Sequence, residues 1–148
     1  RPPLVYGPNA KGNFAKLVTM VGSGMPLPFG MIKNERSFIA IDNLVDLILT
    51  CLDHPLAANQ VFLASDGRDL STPELIRGIA AAMDKPPNLW AFPPSFLHLG
   101  AAIVNRKDLA ERLIGSLRVD ISKAKTRLGW SPPITVEEGL RRCFIAKK

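Results

Sequence analysis

Arg36 is the residue with the clearest capacity for chemistry in this sequence, because of the pattern that follows it. It opens a short apolar run, residues 37–41, which predicts a β-strand, and Asp42 stands where a helical pattern over residues 43–53 begins. A guanidinium donates hydrogen bonds in a planar fork that matches two phosphate oxygens, and lysine cannot reproduce this geometry. Asp42 is expected to cap the helix by accepting hydrogen bonds from its first amides. The pattern therefore predicts an anion-binding side chain where a strand begins.

A loop stiffened by two prolines comes before this arginine. Residues 24–30 read Gly-Met-Pro-Leu-Pro-Phe-Gly, and the prolines are expected to hold the backbone extended, with its amides available to another group. Two alternatives to a binding role stay open at this point. In the first, Phe29 is an ordinary core residue. In the second, Arg36 is a surface residue paired with Glu35 or Asp42.

The elements that must position these residues are mostly helices. The spacing of Ser71 and Glu74, and that of Thr135 and Glu138, is typical of capping boxes at helix starts. Apolar periodicity and stop signals predict helices at 10–21, 43–53, 72–84, 95–104, 108–114, 122–128 and 136–146. Short strands are predicted at 4–6, 37–41, 60–64, 89–92 and 117–121. This pattern indicates a small α/β lobe rather than a complete doubly wound sheet.

Composition narrows the classes of function. The 148 residues are 47% hydrophobic, which is enough for a folded core, and no apolar stretch is long enough to predict a membrane span. The net charge of +6 favours anionic partners, but the basic residues are dispersed and no nucleic-acid-binding motif is present. Cys51 and Cys143 are expected to be free thiols in a reducing cytoplasm, and no metal site is predicted. A basic nucleic-acid-binding module and a non-catalytic partner-binding lobe stay open as alternatives.

Several catalytic signatures are missing. No Gly-x-Gly-x-x-Gly opens a helix, so the chain carries no dinucleotide-binding fingerprint. Tyr6, the single tyrosine, is followed four positions later by Ala10, which rules out a Tyr-x-x-x-Lys pair. No nucleophile-elbow sequence occurs either. We therefore predict no catalytic residue in this chain.

Three segments together resemble a known family. Residues 1–8 (Arg-Pro-Pro-Leu-Val-Tyr-Gly-Pro), 36–43 (Arg-Ser-Phe-Ile-Ala-Ile-Asp-Asn) and 128–132 (Leu-Gly-Trp-Ser-Pro) occur in this order. They resemble the C-terminal half of the extended short-chain dehydrogenase/reductases, and more narrowly the nucleotide-sugar epimerases and dehydratases of the UDP-glucose 4-epimerase type. The resemblance implies an α/β fold, a small helix-rich substrate-binding lobe with short strands whose Rossmann half is largely missing. Residues 1–9 would be the last part of the cofactor-facing region, and residues 10–148 the nucleotide-sugar-binding lobe.

The same resemblance implies roles for individual residues. Asn13 would approach the substrate diphosphate from the start of its helix, where free amides favour anions. Leu27 and Phe29 would present backbone groups to the uracil edge. Arg36 would bind the diphosphate, and Arg112 would be the second phosphate-binding arginine, although the family's usual Arg-x-Gly-Asp is absent around it.

The cofactor implied by the resemblance is NAD, bound mainly by the missing N-terminal half. Pro2 and Pro3 would lie beside the nicotinamide, while Leu4 replaces an asparagine that the family often has near the diphosphate. Trp130 would be structural.

In the implied reaction, NAD transiently oxidises a UDP-sugar, and the hydride then returns to the other face of the sugar. The alternative is a dehydratase or 4-keto reductase of the same family. The fragment alone is expected to be inactive. The resemblance implies a cytoplasmic protein with no membrane or nucleic-acid partner, and it allows a homodimer of the parent protein.

Overall fold

The computed structural model describes residues 3–93 and 115–145. Within this part of the chain, contacts divide the molecule into two compact units. Unit 1 consists of the described residues of Arg1–Ala10, Ser37–Asp69 and Arg118–Lys148, and unit 2 consists of those of Lys11–Arg36 and Leu70–Leu117. The division predicted from the sequence concerns ligand roles rather than contacts, and it stays a prediction.

Three short strands form a sheet in the order β1-β2-β3, namely β1 Leu4–Tyr6, β2 Arg36–Ala40 and β3 Asp69–Leu70. Strands β1 and β2 run parallel, with Val5 opposite Ile39. The last four residues of β2 are all buried, as is typical of a strand covered on both faces. The predicted α/β class with short strands is confirmed.

Three other predicted strands do not form as such. Residues 60–64 belong to no strand, and Leu89 and Leu117 each form one isolated bridge. A strand requires a continuous backbone partner as well as a suitable composition. Among the described residues, no neighbouring strand forms a ladder of backbone hydrogen bonds with residues 60–64.

Two helices of unit 2 pack against each other through apolar faces. Helix α1, Asn13–Gly22, buries Phe14, Leu17 and Val21, and helix α3, Thr72–Ala82, buries Leu75, Ile76, Ile79 and Ala80. The predicted capping box of α3 is confirmed, because the Ser71 hydroxyl accepts from the Glu74 amide at 3.3 Å and the Glu74 carboxylate accepts from the Ser71 amide at 2.7 Å. Helix α1 begins three residues later than its apolar pattern predicts.

Unit 1 contains three α-helices among its described residues, α2 Ile41–Asp53, α4 Ser122–Leu128 and α5 Val136–Ile145, with a 3-10 turn at Pro55–Ala57. Trp130 is buried in a cluster with Ile39, Leu47 and Leu128, and its indole Nε1 donates to the Asp46 carboxylate at 2.8 Å. This packing confirms its predicted structural role. Gly129 ends α4 in the left-handed conformation that glycine adopts without strain.

The predicted cap of α2 is wrong. The helix begins at Ile41, and its N-cap is Ala40, which supplies no side-chain hydrogen bond. Asp42 instead lies within the first turn and pairs with Arg142 at 3.3 Å. The reason is that β2 ends at Ala40 and α2 starts at the next residue, so the N-cap position falls on an alanine, which has no capping group. A carboxylate in the first turn still interacts favourably with the helix dipole.

Asp66 is the centre of a buried polar network in unit 1. Its carboxylate accepts from the Tyr6 hydroxyl at 2.7 Å, the Ala40 amide at 2.9 Å and the Asn43 side chain at 2.7 Å. Burial, and then the neighbouring Asp66 charge, raise the pKa of Tyr6 far above its usual range. Asn43 also accepts from the Ile134 amide at 3.1 Å. The network therefore joins β1, the end of β2, α2 and the segment before α5.

His54 and the two thiols are further features of unit 1. His54 ends α2, and its ring Nδ1 accepts from the Leu56 amide at 3.2 Å. Cys143 is buried, Cys51 is half-buried, and both thiols are free. Of the helices in residues 3–93 and 115–145, none has the length and apolar content that crossing a bilayer requires.

Candidate functional site

Arg36 is the first residue of β2, and pairing on one side fixes the backbone that carries it. The Leu117 amide donates to the Glu35 carbonyl at 2.9 Å, and the Glu35 amide donates to the Ser116 hydroxyl at 3.1 Å. Arg36 and Leu117 form a parallel bridge. Segment 115–117 thus sets the position of Arg36 within unit 2.

Asn34 adds a second constraint that the sequence does not reveal. Its side chain is only 4% exposed. Its oxygen accepts from the Thr72 amide at 2.8 Å, and its nitrogen donates to the Gly115 carbonyl at 3.1 Å. Thr72 is the first residue of α3, so Asn34 attaches the loop that precedes Arg36 to the start of this helix. An asparagine in a polar loop carries no sequence signal for such a role.

The guanidinium of Arg36 is half-buried. Its Nη1 donates to the Gly115 carbonyl at 3.3 Å. This bond gives the guanidinium one fixed contact within unit 2. Asp42, one of the two alternative partners predicted for Arg36, pairs with Arg142, while the alternative pairing with Glu35 stays a prediction. The arrangement keeps the planar fork on a fixed support, which suits an anion-binding group.

The proline loop pairs with another segment of unit 2. The Leu27 amide donates to the Asn88 carbonyl at 2.8 Å, and the Leu27 carbonyl accepts from the Trp90 amide at 2.9 Å. The Gly30 amide donates to the Trp90 carbonyl at 2.9 Å. The expectation that the amides of this loop are available is therefore wrong for Leu27 and Gly30, because backbone partners already occupy them. A contact from Leu27 to a base would have to use the second lone pair of its carbonyl.

Phe29 and Asn13 lie on other parts of unit 2. Phe29 is buried, as its alternative as a core residue requires, and its carbonyl accepts from the Ile32 amide at 3.2 Å. Asn13 is the first residue of α1 and is half-buried. The predicted residues thus occupy a helix start, a loop and a strand start, and their meeting around one ligand stays a prediction.

Two predicted site residues, Pro2 and Arg112, lie outside the described residues, as do the helices predicted at 95–104 and 108–114. Pro3 is described and is buried immediately before β1. Among the described residues, no group of three histidine, cysteine or acidic side chains is arranged to hold a metal ion.

A cleft of about 420 Å³ lies within unit 1, and the sequence did not predict it. It is lined by two cationic and two anionic side chains together with small and apolar residues: Ser65, Gly67, Asp69, Arg118, Val119, Asp120, Ile121, Ser122 and Lys125. Arg118 pairs with Asp69 at 2.9 Å, and the backbone and hydroxyl hydrogen bonds from Ser122 lower the pKa of Asp120. Because its charges balance and Arg36 is not part of it, this cleft does not have the character of a diphosphate site. Its walls come from residues 65–69, from residues 118–121, which were predicted to lie in a strand, and from the first turn of α4.

The chain is similar in sequence to a known epimerase. No family model matches the chain. A UDP-glucose 4-epimerase from Vibrio cholerae is 52% identical over 145 residues, a match that covers 96% of this chain and 44% of that protein. The chain thus spans less than half the length of the curated relatives it matches. The predicted resemblance to nucleotide-sugar epimerases is confirmed.

Solved structures agree on the fold. A UDP-N-acetylglucosamine 4-epimerase from Bacillus cereus matches with a TM-score of 0.72 and 17% identity, over all of this chain and 45% of that one. A UDP-glucuronic acid 4-epimerase from the same organism, solved with UDP-glucuronic acid and NAD, matches with a TM-score of 0.69 and 20% identity, over 97% of this chain and 42% of that one. The described α/β architecture is therefore part of the epimerase fold.

Proposed function

We propose that this chain is the nucleotide-sugar-binding part of an NAD-dependent epimerase of the UDP-glucose 4-epimerase type. The observation that carries the proposal is the 52% identity over 145 residues to a protein of that name. Since the chain spans 44% of that relative, the complete reaction belongs to a protein of the relative's length.

In this proposal, Arg36 binds the diphosphate of the substrate. Its backbone is held by segment 115–117, and Asn34 fixes the loop from which it extends. A charged fork that is already positioned loses little entropy on binding two phosphate oxygens. The segment that holds it begins three positions after Arg112 in the sequence, which favours the second arginine as a partner in the same task. Asn13 would contribute from the amide-rich start of α1.

The cofactor would be held mainly by residues that this chain does not contain. The chain has no glycine-rich fingerprint, and Pro3 is the one candidate contact among the described residues. NAD, when bound, would supply a reversible hydride acceptor. The task of this chain is to hold the nucleotide, so that binding energy far from the sugar keeps the reacting carbon in place.

The isolated chain is then expected to bind NAD weakly and to be inactive. Incubation with UDP-glucose should give no UDP-galactose by chromatography, and formation of that product by the purified 148-residue chain would contradict the proposal.

The same binding part would serve a dehydratase or a 4-keto reductase. The two free thiols favour a reducing compartment, the cytoplasm.

The direct test is titration of the chain with UDP by calorimetry. Arg36→Ala should weaken UDP binding by at least about tenfold, since a charge-assisted hydrogen bond is worth roughly 1.5–3 kcal/mol. Arg36→Lys should also weaken it, because an ammonium cannot donate in a fork. Arg77→Ala, which removes an exposed arginine from α3 in the same unit, is the matched control and should leave the affinity unchanged. Unchanged UDP affinity in Arg36→Ala would contradict the proposed role.

A further inference from the structure

Helix α2 presents a row of exposed apolar side chains. Ile41, Val45, Ile48, Leu49 and Leu52 are between 38% and 75% exposed, and we call these five residues the α2 seam. Four of them, at positions 41, 45, 48 and 52, follow the alternating spacing of four and three that forms one stripe along a helix. Such a stripe is the pattern by which one helix packs against another.

The rest of unit 1 already contacts α2 on its other face. Asn43 and Leu47 are buried there, and Leu44 and Cys51 pack partly against the same core. The seam is therefore additional to the face that holds α2 in its unit. Scattered exposed apolar residues are normal on a protein surface, but a contiguous row of five marks an interaction surface.

Two further observations indicate what covers the seam. Strand β1 lies at the edge of the sheet order β1-β2-β3, so the same unit also presents a strand edge. The epimerase relatives contain more than half of their length beyond the region that matches this chain. An exposed apolar helix face and a sheet edge are what a fold shows where a further layer packs.

We propose that the α2 seam is the surface on which the remainder of an epimerase of the relatives' length packs. This inference rests on the similarity in sequence and length, and it does not depend on UDP binding by Arg36. The partner is an apolar helical or sheet face of that remainder.

The test uses a chimera in which this chain replaces the matched region of the Vibrio cholerae relative, compared with the 148-residue chain itself. In each protein, Val45→Asp places a charge on the seam, and Val61→Asp is the matched control, a more exposed valine of the same unit outside α2. Val45→Asp should lower the melting temperature of the chimera by roughly 5 °C or more and that of the isolated chain by less than about 2 °C. Val61→Asp should shift neither by more than about 2 °C.

A labelling measurement provides an independent readout. A cysteine introduced by Leu49→Cys should react with a maleimide at least about tenfold more slowly in the chimera than in the isolated chain. Equal labelling rates, or equal melting shifts from Val45→Asp in the two proteins, would overturn the proposal. Protection of the isolated chain that grows with its concentration would assign the seam to a second copy instead. A chimera that fails to fold while the unmodified relative folds would also count against it.

Discussion

Helices α1 and α2 are both amphipathic, yet they meet their surroundings in opposite ways. Helix α1 turns its apolar stripe inward, and Phe14, Leu17 and Val21 are buried against unit 2. Helix α2 leaves its longer stripe, the α2 seam, in contact with solvent. The comparison shows that periodicity identifies an apolar face without telling whether the described part of the chain covers it.

The inner contacts of the two helices also differ in kind. Helix α2 is held through Asn43, which bonds to the buried Asp66, and through Asp46, which accepts from Trp130. Among the described residues, the packing of α1 is instead mainly apolar. A polar attachment fixes the orientation of a helix strongly, because every misaligned partner leaves a buried polar group unsatisfied.

The largest expected effect separates the two apolar stripes. Leu17→Ala should lower the free energy of unfolding by about 2–5 kcal/mol, because it leaves a cavity in a packed core. Leu52→Ala, the matched change on the α2 seam, should alter it by no more than about 0.5 kcal/mol in the isolated chain. Urea unfolding followed by circular dichroism measures both. Similar losses in the two variants would mean that Leu52 is covered.

A smaller effect tests the polar attachment of α2. Asn43→Ala should cost about 1–3 kcal/mol, because Asp66 and the Ile134 backbone lose buried partners. Asn13→Ala, an asparagine at the start of α1 without a comparable network, should cost no more than about 0.5 kcal/mol. The same unfolding experiment applies, and equal costs would remove the distinction between the two helices.

The smallest effect is a pH dependence carried by the thiol of Cys143 in α5. Burial raises the pKa of Cys143 from 9.0 to about 11. The folded state thus prefers the protonated thiol, so this stability is complete below about pH 9 and is lost as the pH rises towards 11. Between pH 9 and pH 10 the loss should be about 1 kcal/mol.

The corresponding variant removes this thiol. Cys143→Ala should unfold with a flatter alkaline dependence than the unmodified chain. Melting temperatures recorded at half-unit pH intervals provide the measurement. An unchanged slope in Cys143→Ala would show that its thiol does not carry this dependence.

Local signals in the sequence were sufficient for part of this structure. The capping box at Ser71 and the end of α4 at Gly129 each depend on residues a few positions apart, and each is confirmed. Asp42 shows the limit, because its type suits a cap but the helix already begins one residue before it, at Ile41.

Long-range partners account for what the sequence could not provide. Asn34 and Asp66 acquire their roles from groups 23 to 81 positions away, which no local pattern contains. The pairing of the proline loop with residues 88–90 likewise uses amides that looked available. Arg36 could be selected by its chemistry, but the support from segment 115–117 became visible only in the structure.

Gly30 helps to interpret the sequences of related proteins. A methyl group at this position would lie 2.7 Å from the Trp90 carbonyl oxygen, closer than atoms can approach. Any homologue with a larger residue at the matching position must therefore have displaced the chain opposite it. That single substitution would mark, in a sequence alone, a proline loop that is paired differently with residues 88–90.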